Sequence, residues 1–311
     1  IVILPQPAPQ DEGPTPLPKP QLKYIFLFIG DGMGYAQVQA ADEALSAAGR
    51  KPLTFPAFPV AGSAHPNNAD GTVTDSAAAA TALATGTKTL NAYLGLDREG
   101  VRLRDISEEL RDAGRKIGIL TTVSLDHATP AGFFAHVASR RSYATITDDL
   151  FASGFDFFAG GGFHETPDAA EHASENGYAM ISSFEETPVE TDGKLILSSS
   201  LIFGDYGVIP AVDGGTRQDW LKKATALAIE RLASPAGFFM MVEGGRIDYF
   251  CHYADAVSFV AEVLDFDAAI ASALAFYNEH PTETLIVVTA DHETGDVSLI
   301  QGDRAALLRQ T

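Results

Sequence analysis

Short apolar runs recur along the chain after residue 23, and amphipathic stretches of helical period separate them. The apolar runs are Tyr24–Ile29, Ile117–Thr121, Phe155–Phe158, Gly237–Val242 and Thr284–Thr289. Helices are predicted over Tyr35–Ala48, Ser76–Ala84, Leu103–Ala113, Ser142–Ala152, Asp219–Ala233 and Ala254–Asn278. Strands that are buried on both faces of a parallel sheet are apolar throughout, and helices connect such strands. The pattern therefore predicts an α/β fold with a mostly parallel central sheet flanked by helices.

Two segments depart from this alternation. Residues 1–23 contain seven of the 17 prolines, a density that excludes helices and central strands and favours a semi-extended leader or linker. We therefore expect residues 24–311 to form the α/β domain. Residues 160–215 are richer in Gly, Ser, Thr and acidic residues, and we expect them to form an inserted elaboration on the sheet.

Composition and charge exclude several classes of protein. The 311 residues include 41 acidic and 21 basic side chains, which gives a formal net charge of −20. Such a charge disfavours nucleic acid or an anionic membrane as a general partner. No apolar stretch approaches the ~18 residues of a membrane-spanning helix. A single cysteine, Cys251, excludes an intrachain disulfide framework and a Cys-rich zinc site. The sequence predicts a soluble, acidic, globular protein.

Carboxylates follow three of the predicted strands. Asp31 comes after the first strand, Glu243 after Gly237–Val242, and Asp291 with His292 after the last strand. The carboxyl ends of parallel strands meet at one edge of a sheet, so we expect these side chains to lie close together. Carboxylates gathered at one place repel each other unless a cation compensates. The sequence therefore predicts a metal cluster at this edge.

Each of these motifs also has a simpler interpretation when it is taken alone. Asp31 lies in I-G-D-G-M-G, which is equally compatible with an Asp-Gly turn and lacks the spacing of a dinucleotide-binding loop. Asp248 and His252 are spaced i,i+4, so they suit a zinc ion if they share a helix face, but exposed pairs of this kind are common. Asp291-His292 alone fits a turn.

Ser76 lies in the segment T-D-S-A-A-A-A-T at the start of a predicted helix. Asp75 or Ser76 fits an N-cap. A serine at this place also has its hydroxyl over the positive end of the helix dipole, where backbone N–H groups bind phosphate. No histidine adjoins Ser76, but a serine that a metal activates needs none.

Thr129 and Arg140 complete the set of candidate residues. The Thr129 hydroxyl suits a hard cation, and the Arg140 guanidinium suits two oxygens of one phosphate. Taken alone, they fit a turn threonine and a surface arginine.

Together these motifs resemble the alkaline phosphatase family. The segments I-G-D-G-M-G, T-D-S-A-A-A-A-T-A, H-A-T-P-A-G-F-F-A-H-V-A-S-R, E-G-G-R-I-D-Y-F-C-H and T-A-D-H-E-T-G occur in the order and at roughly the separation seen in that family. The resemblance covers nearly all of the chain after the proline-rich segment. It implies hydrolysis of phosphate monoesters at alkaline pH, in the periplasm or outside the cell, by an enzyme that is often a homodimer.

The resemblance also implies a role for each candidate residue. Ser76 matches the nucleophile that forms a phosphoserine intermediate, and Arg140 matches the arginine that binds the phosphate. Two zinc ions and one magnesium ion are implied. The first zinc matches Asp31, Asp291 and His292, the second matches Asp248 and His252, and the magnesium matches Asp31, Thr129 and Glu243.

The sequence departs from the family pattern at three places. His127 stands where some members carry Asp, and Tyr249 stands where others carry Lys, His or Trp, which leaves the metal near Thr129 open. The family supplies a further histidine ligand of the second zinc downstream of A-D-H-E-T-G, but this sequence has no histidine after His292. We therefore expect a catalytic domain that is C-terminally incomplete and of low activity as given.

Three other functions remain open at this point. A phosphodiesterase of the same superfamily shares the metal motifs, although such enzymes typically use Thr as the nucleophile and lack the phosphate-binding arginine. A sulfatase uses a modified Cys or Ser in a different motif. A non-catalytic phosphate- or metal-binding derivative is the alternative from another functional class.

Overall fold

A computed structural model of the chain describes residues 22–186, 193–213, 219–295, 297–298 and 304–308. The proline-rich segment predicted over residues 1–23 lies outside the described residues except for its last two positions. Nine strands are assigned in the described ranges: β1 Tyr24–Gly30, β2 Lys116–Thr121, β3 Phe157–Gly160, β4 Tyr178–Ile181, β5 Lys194–Ser198, β6 Ile202–Phe203, β7 Gly207–Val208, β8 Phe238–Gly244 and β9 Thr284–Ala290.

The helices lie between these strands, as the alternation of apolar runs predicts. In chain order they are α1 Tyr35–Ala47, α2 Ser76–Thr85, α3 Ile106–Asp112, α4 Ala128–Ala131, α5 Tyr143–Ala152, α6 Ala169–Glu175, α7 Trp220–Leu232, α8 Arg246–His252 and α9 Ala256–Glu279. No helix in the described part of the chain combines the length and the apolarity needed to cross a bilayer.

Seven of the strands form one parallel sheet in the order β4-β5-β3-β2-β8-β1-β9. The predicted fold class is confirmed. Strand β8 lies between β2 and β1, and both of its faces are covered, so all seven of its residues are buried. Complete burial explains why β8 is an uninterrupted apolar run until its last two residues.

Alternate residues of β8 belong to two different cores. Phe238, Met240 and Val242 pack with buried residues of α1, α7 and α9 on one face of the sheet. Phe239 and Met241 pack on the other face with alanines of α2 and α4 and with α5. The period of two along the strand places Glu243 on the same face as Phe239 and Met241, toward α2 and α4.

The segment 160–215 adds strands to the central sheet and also forms a separate hairpin. Strands β4 and β5 form one edge of the sheet, and β6 and β7 form a separate antiparallel hairpin. The composition of this segment predicts an elaboration but not the two strands, because each has only four or five residues and stands between turn-forming residues.

The helix predicted over Ala254–Asn278 is present as α9, which begins two residues later, at Ala256. Residues Arg246–His252 form the separate helix α8, and Ala254 then adopts the left-handed conformation with φ 53°. Asp255 begins the next helix by accepting a hydrogen bond from the Ser258 N–H at 3.1 Å. A left-handed alanine interrupts a helix, and the new N-cap starts another, so Asp248 and His252 lie on a short helix of their own.

Asp105, Glu108 and His136 form a polar cluster that supports α3. The Asp105 carboxylate accepts a hydrogen bond from the Glu108 N–H at 2.9 Å, and Glu108 completes the capping box. His136 Nε2 lies 3.0 Å from the Leu103 carbonyl oxygen, which it reaches as a donor. Although the three side chains are close enough to share a cation, these hydrogen bonds already explain their arrangement. We assign the cluster a structural role.

Replacement of Asp105 tests this role through the pH dependence of stability. Burial raises the pKa of Asp105 to about 7, so between pH 4 and pH 7 the folded state holds a proton that the unfolded state releases. This contribution stabilises the fold at low pH and is lost as the pH rises through about 7. Asn keeps the cap without the titration, so Asp105→Asn should gain about 2 kcal/mol relative to wild type between about pH 5 and about pH 8.

Urea unfolding at the two pH values measures this gain. Asp105→Ala is the control for capping. Its free energy of unfolding should change with pH as that of Asp105→Asn does, but it should be lower than that of Asp105→Asn by about 1 kcal/mol at both pH values, because the cap is lost. Parallel pH profiles for the wild type and Asp105→Asn would contradict the assignment.

Candidate active site

The strand register brings three carboxylates to one edge of the sheet. Glu243 pairs with Ile29 of β1 and with Thr121 of β2, and Gly30 pairs with Ala290 of β9. Asp31 and Asp291 are the next residues after Gly30 and Ala290, so they leave the sheet side by side. All three carboxylates are buried. The predicted gathering of acidic side chains at the carboxyl ends of the strands is therefore present.

A tight loop after β1 orients Asp291. The Asp291 Oδ1 atom accepts hydrogen bonds from the Gly32 N–H at 3.0 Å and from the His292 N–H at 2.8 Å. Gly32 has φ +62°, and a Cβ atom there would lie 2.5 Å from Asp248 Oδ1. Glycine is thus required at position 32 by both the backbone conformation and the close approach of Asp248.

Asp31, Asp291 and His292 form the first candidate cation site. One ligand atom from each lies within 4.8 Å of the others. His292 Nε2 is 3.5 Å from Asp31 Oδ1 and 3.4 Å from Asp291 Oδ2. The Ser76 Oγ atom lies 3.2 Å from His292 Nε2 and 3.5 Å from Asp31 Oδ1. A cation held by these three residues would therefore lie beside the serine hydroxyl.

Ser76 is the first residue of α2, and Asp75 is its N-cap. The Asp75 carboxylate accepts a hydrogen bond from the Ala78 N–H at 3.0 Å. Ser76 is therefore not needed as the cap, which decides between the two capping alternatives. Its side chain is nearly buried and lies at the positive end of the helix dipole, where an anion is stabilised.

Asp248 and His252 form a second pair on α8. The Asp248 Oδ2 and His252 Nε2 atoms are 3.3 Å apart. The Asp248 side chain is largely buried, whereas 65% of the His252 side chain is exposed. His252 Nε2 also lies 3.4 Å from the Thr294 hydroxyl. In the described ranges, no third His, Cys, Asp or Glu ligand approaches this pair closely enough to complete a three-residue group.

Asp31, His127 and Glu243 form the third candidate group, also within 4.8 Å of each other. The Glu243 carboxylate accepts a short hydrogen bond from the Thr121 hydroxyl. Thr129 lies nearby on α4, and its hydroxyl oxygen is buried without a hydrogen-bond partner among the described residues. A site with oxygen ligands and one imidazole matches the preference of magnesium less well than an all-oxygen site does. Such a site also binds zinc.

Arg140 lies at the mouth of the site between two other polar residues. Its Nη1 atom is 3.4 Å from Asp75 Oδ2, and its Nη2 atom is 3.3 Å from His127 Nε2. Since guanidinium groups only donate, His127 accepts at Nε2 and is neutral. Arg140 lines an open cavity of about 220 Å³ together with His127, Asp248, Tyr249, His252 and Tyr253. Of the site's carboxylates, Asp248 lines this cavity.

Burial and mutual repulsion dominate the electrostatics of the site. Burial raises the pKa of Asp31 well above its ordinary value, and the charges of Asp291, Asp248 and Glu243 raise it further. Burial likewise raises the pKa of Asp291, and it raises that of Glu243 to about 8. The pKa of His127 falls because it is buried beside Arg140. Without additional positive charge, the site therefore favours the protonated, neutral forms of these carboxyl groups.

Several buried carboxylate oxygens of the candidate ligands have no hydrogen-bond partner among the described residues. They are Asp31 Oδ2, Asp291 Oδ2, Asp248 Oδ1 and Glu243 Oε1. A buried carboxylate oxygen without a partner is costly, and a divalent cation satisfies it. The donor set of carboxylates and imidazoles fits zinc and magnesium, so the residues present suit the metals that the sequence implies.

Two residues orient other side chains of the site, and of these the sequence indicated Asp75 only as a possible N-cap and did not single out Thr121. Asp75 caps α2 and also holds Arg140, and its position next to Ser76 was the available signal. Thr121 bonds Glu243, and its position at the carboxyl end of β2 would have identified it. Both follow from the strand-end and helix-start rules once the register of the sheet is known.

The family model for alkaline phosphatase matches residues 22–156 and 200–305. Alkaline phosphatase 4 of Bacillus subtilis is 33% identical over 246 residues, which cover 76% of this chain and 52% of that protein. Alkaline phosphatase of Escherichia coli is 33% identical over 322 residues, covering 85% of this chain and 68% of that protein. This chain thus spans about half the length of the Bacillus protein.

A solved structure gives the same result. The alkaline phosphatase from the Antarctic bacterium TAB5 superposes with a TM-score of 0.76 at 31% identity, covering 88% of this chain and 80% of that one. The family model does not match residues 157–199, which include β4 and β5. This gap coincides with most of the segment that the sequence predicts to be an elaboration.

The buried carboxylates predict opposite effects of Asp31→Asn with and without metal. Their raised pKa values mean that the metal-free fold is stabilised at low pH and loses stability as the pH rises, through about pH 8 for Glu243. At about pH 8, Asp31→Asn should therefore raise the melting temperature of the metal-free protein, because one repelling charge is removed. The same variant should gain less than wild type from added zinc.

Calorimetry with and without zinc measures both effects. Glu175→Gln, which removes an exposed carboxylate on α6, is the matched control and should behave like wild type. If Asp31→Asn lowered the melting temperature without metal and gained fully from zinc, the cation site would be wrongly placed.

Proposed function

Because this chain belongs to the alkaline phosphatase family, we propose that it hydrolyses phosphate monoesters at alkaline pH through a phosphoserine intermediate on Ser76. The observation that carries the proposal is the position of Ser76. Its hydroxyl lies at the start of α2, 3.2 Å from His292 Nε2, and the neighbouring residue Asp75 holds Arg140. Nucleophile, cation site and phosphate-binding arginine thus adjoin each other.

The cations follow from the ligand groups described above. Asp31, Asp291 and His292 would hold one zinc ion, and Asp248 and His252 would contribute to a second. Asp31, Thr129 and Glu243 would hold magnesium, with His127 beside them. When bound, the metals supply positive charge that lowers the pKa of the nucleophile and stabilises the attacking and leaving oxygens.

The residues of the chain then divide the reaction among them. The Arg140 guanidinium donates to two phosphate oxygens, and the amino end of α2 stabilises the same anion. Hydroxide from the alkaline solvent removes the proton of the Ser76 Oγ atom, and this oxygen attacks phosphorus. The bond from phosphorus to the ester oxygen breaks with its electron pair on the departing alkoxide, which takes a proton from water. Water then cleaves the bond between phosphorus and Ser76 Oγ, which releases phosphate and restores the hydroxyl.

The structure also favours a second candidate, a phosphate- or metal-binding protein without turnover. His252 is mostly exposed, and within the described ranges Asp248 is its only carboxylate partner. Catalytic zinc usually has three protein ligands, so a pair holds the metal weakly. A phosphodiesterase has no such observation in its favour, because Arg140 suits the dianionic end of a monoester.

Three broader features belong to the same proposal. Residues 24–311 act as the catalytic domain, the protein is exported, and it works as a homodimer. Family resemblance supports each of them, and size-exclusion chromatography with light scattering tests the last.

Replacement of Ser76 tests the mechanism. Ser76→Ala should lower kcat/KM for p-nitrophenyl phosphate by at least about 10³-fold, because the residual rate then comes from the cations and phosphate binding alone. Ser46→Ala, on the exposed part of α1, should keep the wild-type rate. Radioactive phosphate should label the wild type on the peptide that contains Ser76 and should leave Ser76→Ala unlabelled.

The outcomes separate the candidates. Full monoesterase activity in Ser76→Ala would falsify the phosphoserine mechanism. Faster hydrolysis of bis-p-nitrophenyl phosphate than of the monoester would indicate a phosphodiesterase. Phosphate binding without turnover of either ester would support the non-catalytic candidate.

Arg140→Lys tests how the phosphate is bound. Lysine keeps the charge but cannot donate two parallel hydrogen bonds, so KM for p-nitrophenyl phosphate should rise by about 10-fold. Arg141→Ala removes the adjacent exposed arginine and should leave KM unchanged. Equal KM values for Arg140→Lys and wild type, measured by steady-state kinetics, would show that Arg140 does not grip the phosphate.

A further inference from the structure

Two tyrosines line the opening of the active-site cavity. Tyr249 lies on α8 between the candidate ligands Asp248 and His252, and Tyr253 is the residue that ends this helix. Both line the same cavity as Arg140. A group that leaves the phosphate site on the side of Asp248 and His252 therefore passes these two rings on its way to solvent.

The rings are available for contact with a ligand. Tyr253 is 70% exposed, and it has no ring partner within the described residues. The Tyr249 ring centroid lies 5.9 Å from that of His127, at a tilt of 51°. An aromatic face beside the phosphate site attracts planar rings.

The β6–β7 hairpin carries a second aromatic group, which lines a separate cavity. Tyr206 at its tip is 43% exposed and adopts φ 54°, a strained conformation for an aromatic residue. Its carbonyl oxygen accepts a hydrogen bond from the Gly162 N–H at 2.6 Å, and a Cβ atom on Gly161 would collide with that oxygen. The Tyr206 ring then packs on His164, which stacks on Tyr143. Strain that is held in this way is typical of binding sites.

We propose that Tyr249 and Tyr253 form a leaving-group subsite that selects phosphate monoesters whose alcohol carries a planar ring, such as nucleoside monophosphates. The inference rests on the proposed function, because it assumes that Arg140 binds the phosphate and that the ester oxygen points toward Asp248 and His252. Stacking on tyrosine is tolerant of base identity, so the subsite selects a class of substrate. A saturated sugar offers no such face.

Adenosine 5′-monophosphate and ribose 5-phosphate test this subsite directly, because both contain the same primary ester and differ in the base. For wild type, kcat/KM should be about 10-fold higher for the nucleotide, as expected for one stacked base. In Tyr253→Ala this ratio should fall at least about threefold, and Tyr253→Phe should restore it. Tyr35→Ala is the matched control, since Tyr35 is 78% exposed but does not line the cavity.

A binding measurement separates this inference from the proposed function. The dissociation constants of the two compounds with Ser76→Ala, measured by calorimetry, should differ in the same ratio, and the difference should shrink in Ser76→Ala/Tyr253→Ala. Equal affinities, or a ratio that Tyr253→Ala leaves unchanged, would overturn the subsite. An absence of turnover with a tyrosine-dependent affinity ratio would overturn the proposed hydrolysis and leave the subsite supported.

Discussion

Repulsion among buried carboxylates is the main constraint on the structure at the C-terminal ends of the parallel strands. The register that pairs β1 with both β8 and β9 brings Asp31, Glu243 and Asp291 together where little water reaches them. Such an arrangement destabilises the fold unless protons or cations offset the charge. The parallel sheet and its two cores supply the stability that holds this cluster in place, and the cluster in turn specifies what the site can bind.

The sequence predicted the fold class and most strands because β1, β2 and β8 are largely buried and therefore mostly apolar. Strand β9 is also mostly apolar, although it lies at an edge of the described sheet and is partly exposed. The sequence missed β4 and β5, since a strand of four or five residues at a sheet edge leaves too short a pattern. It also did not predict the short helix α8 or the break that follows it, because a left-handed alanine such as Ala254 has no signature in the sequence. Boundaries that depend on single backbone angles are set by tertiary packing.

The candidate ligands could be named from the sequence because each follows a strand or shares a helix face. The distances between these ligands could not be predicted from the sequence, since they depend on the register of the sheet and on the glycine at position 32. The hydrogen-bond partners of Arg140 could not be predicted from the sequence either. Asp75 and His127 stand 65 and 13 residues from it in the chain, and only the packing of α2 against α4 brings them to the guanidinium.

Asp31 is common to two of the candidate cation groups, those with Asp291 and with Glu243. A cation bound at either position would share the Asp31 carboxylate with the other position and would change the field there. By reciprocity, each cation would alter the affinity of the other by the same factor. Metal loading at the two positions would accordingly be coupled through the shared aspartate.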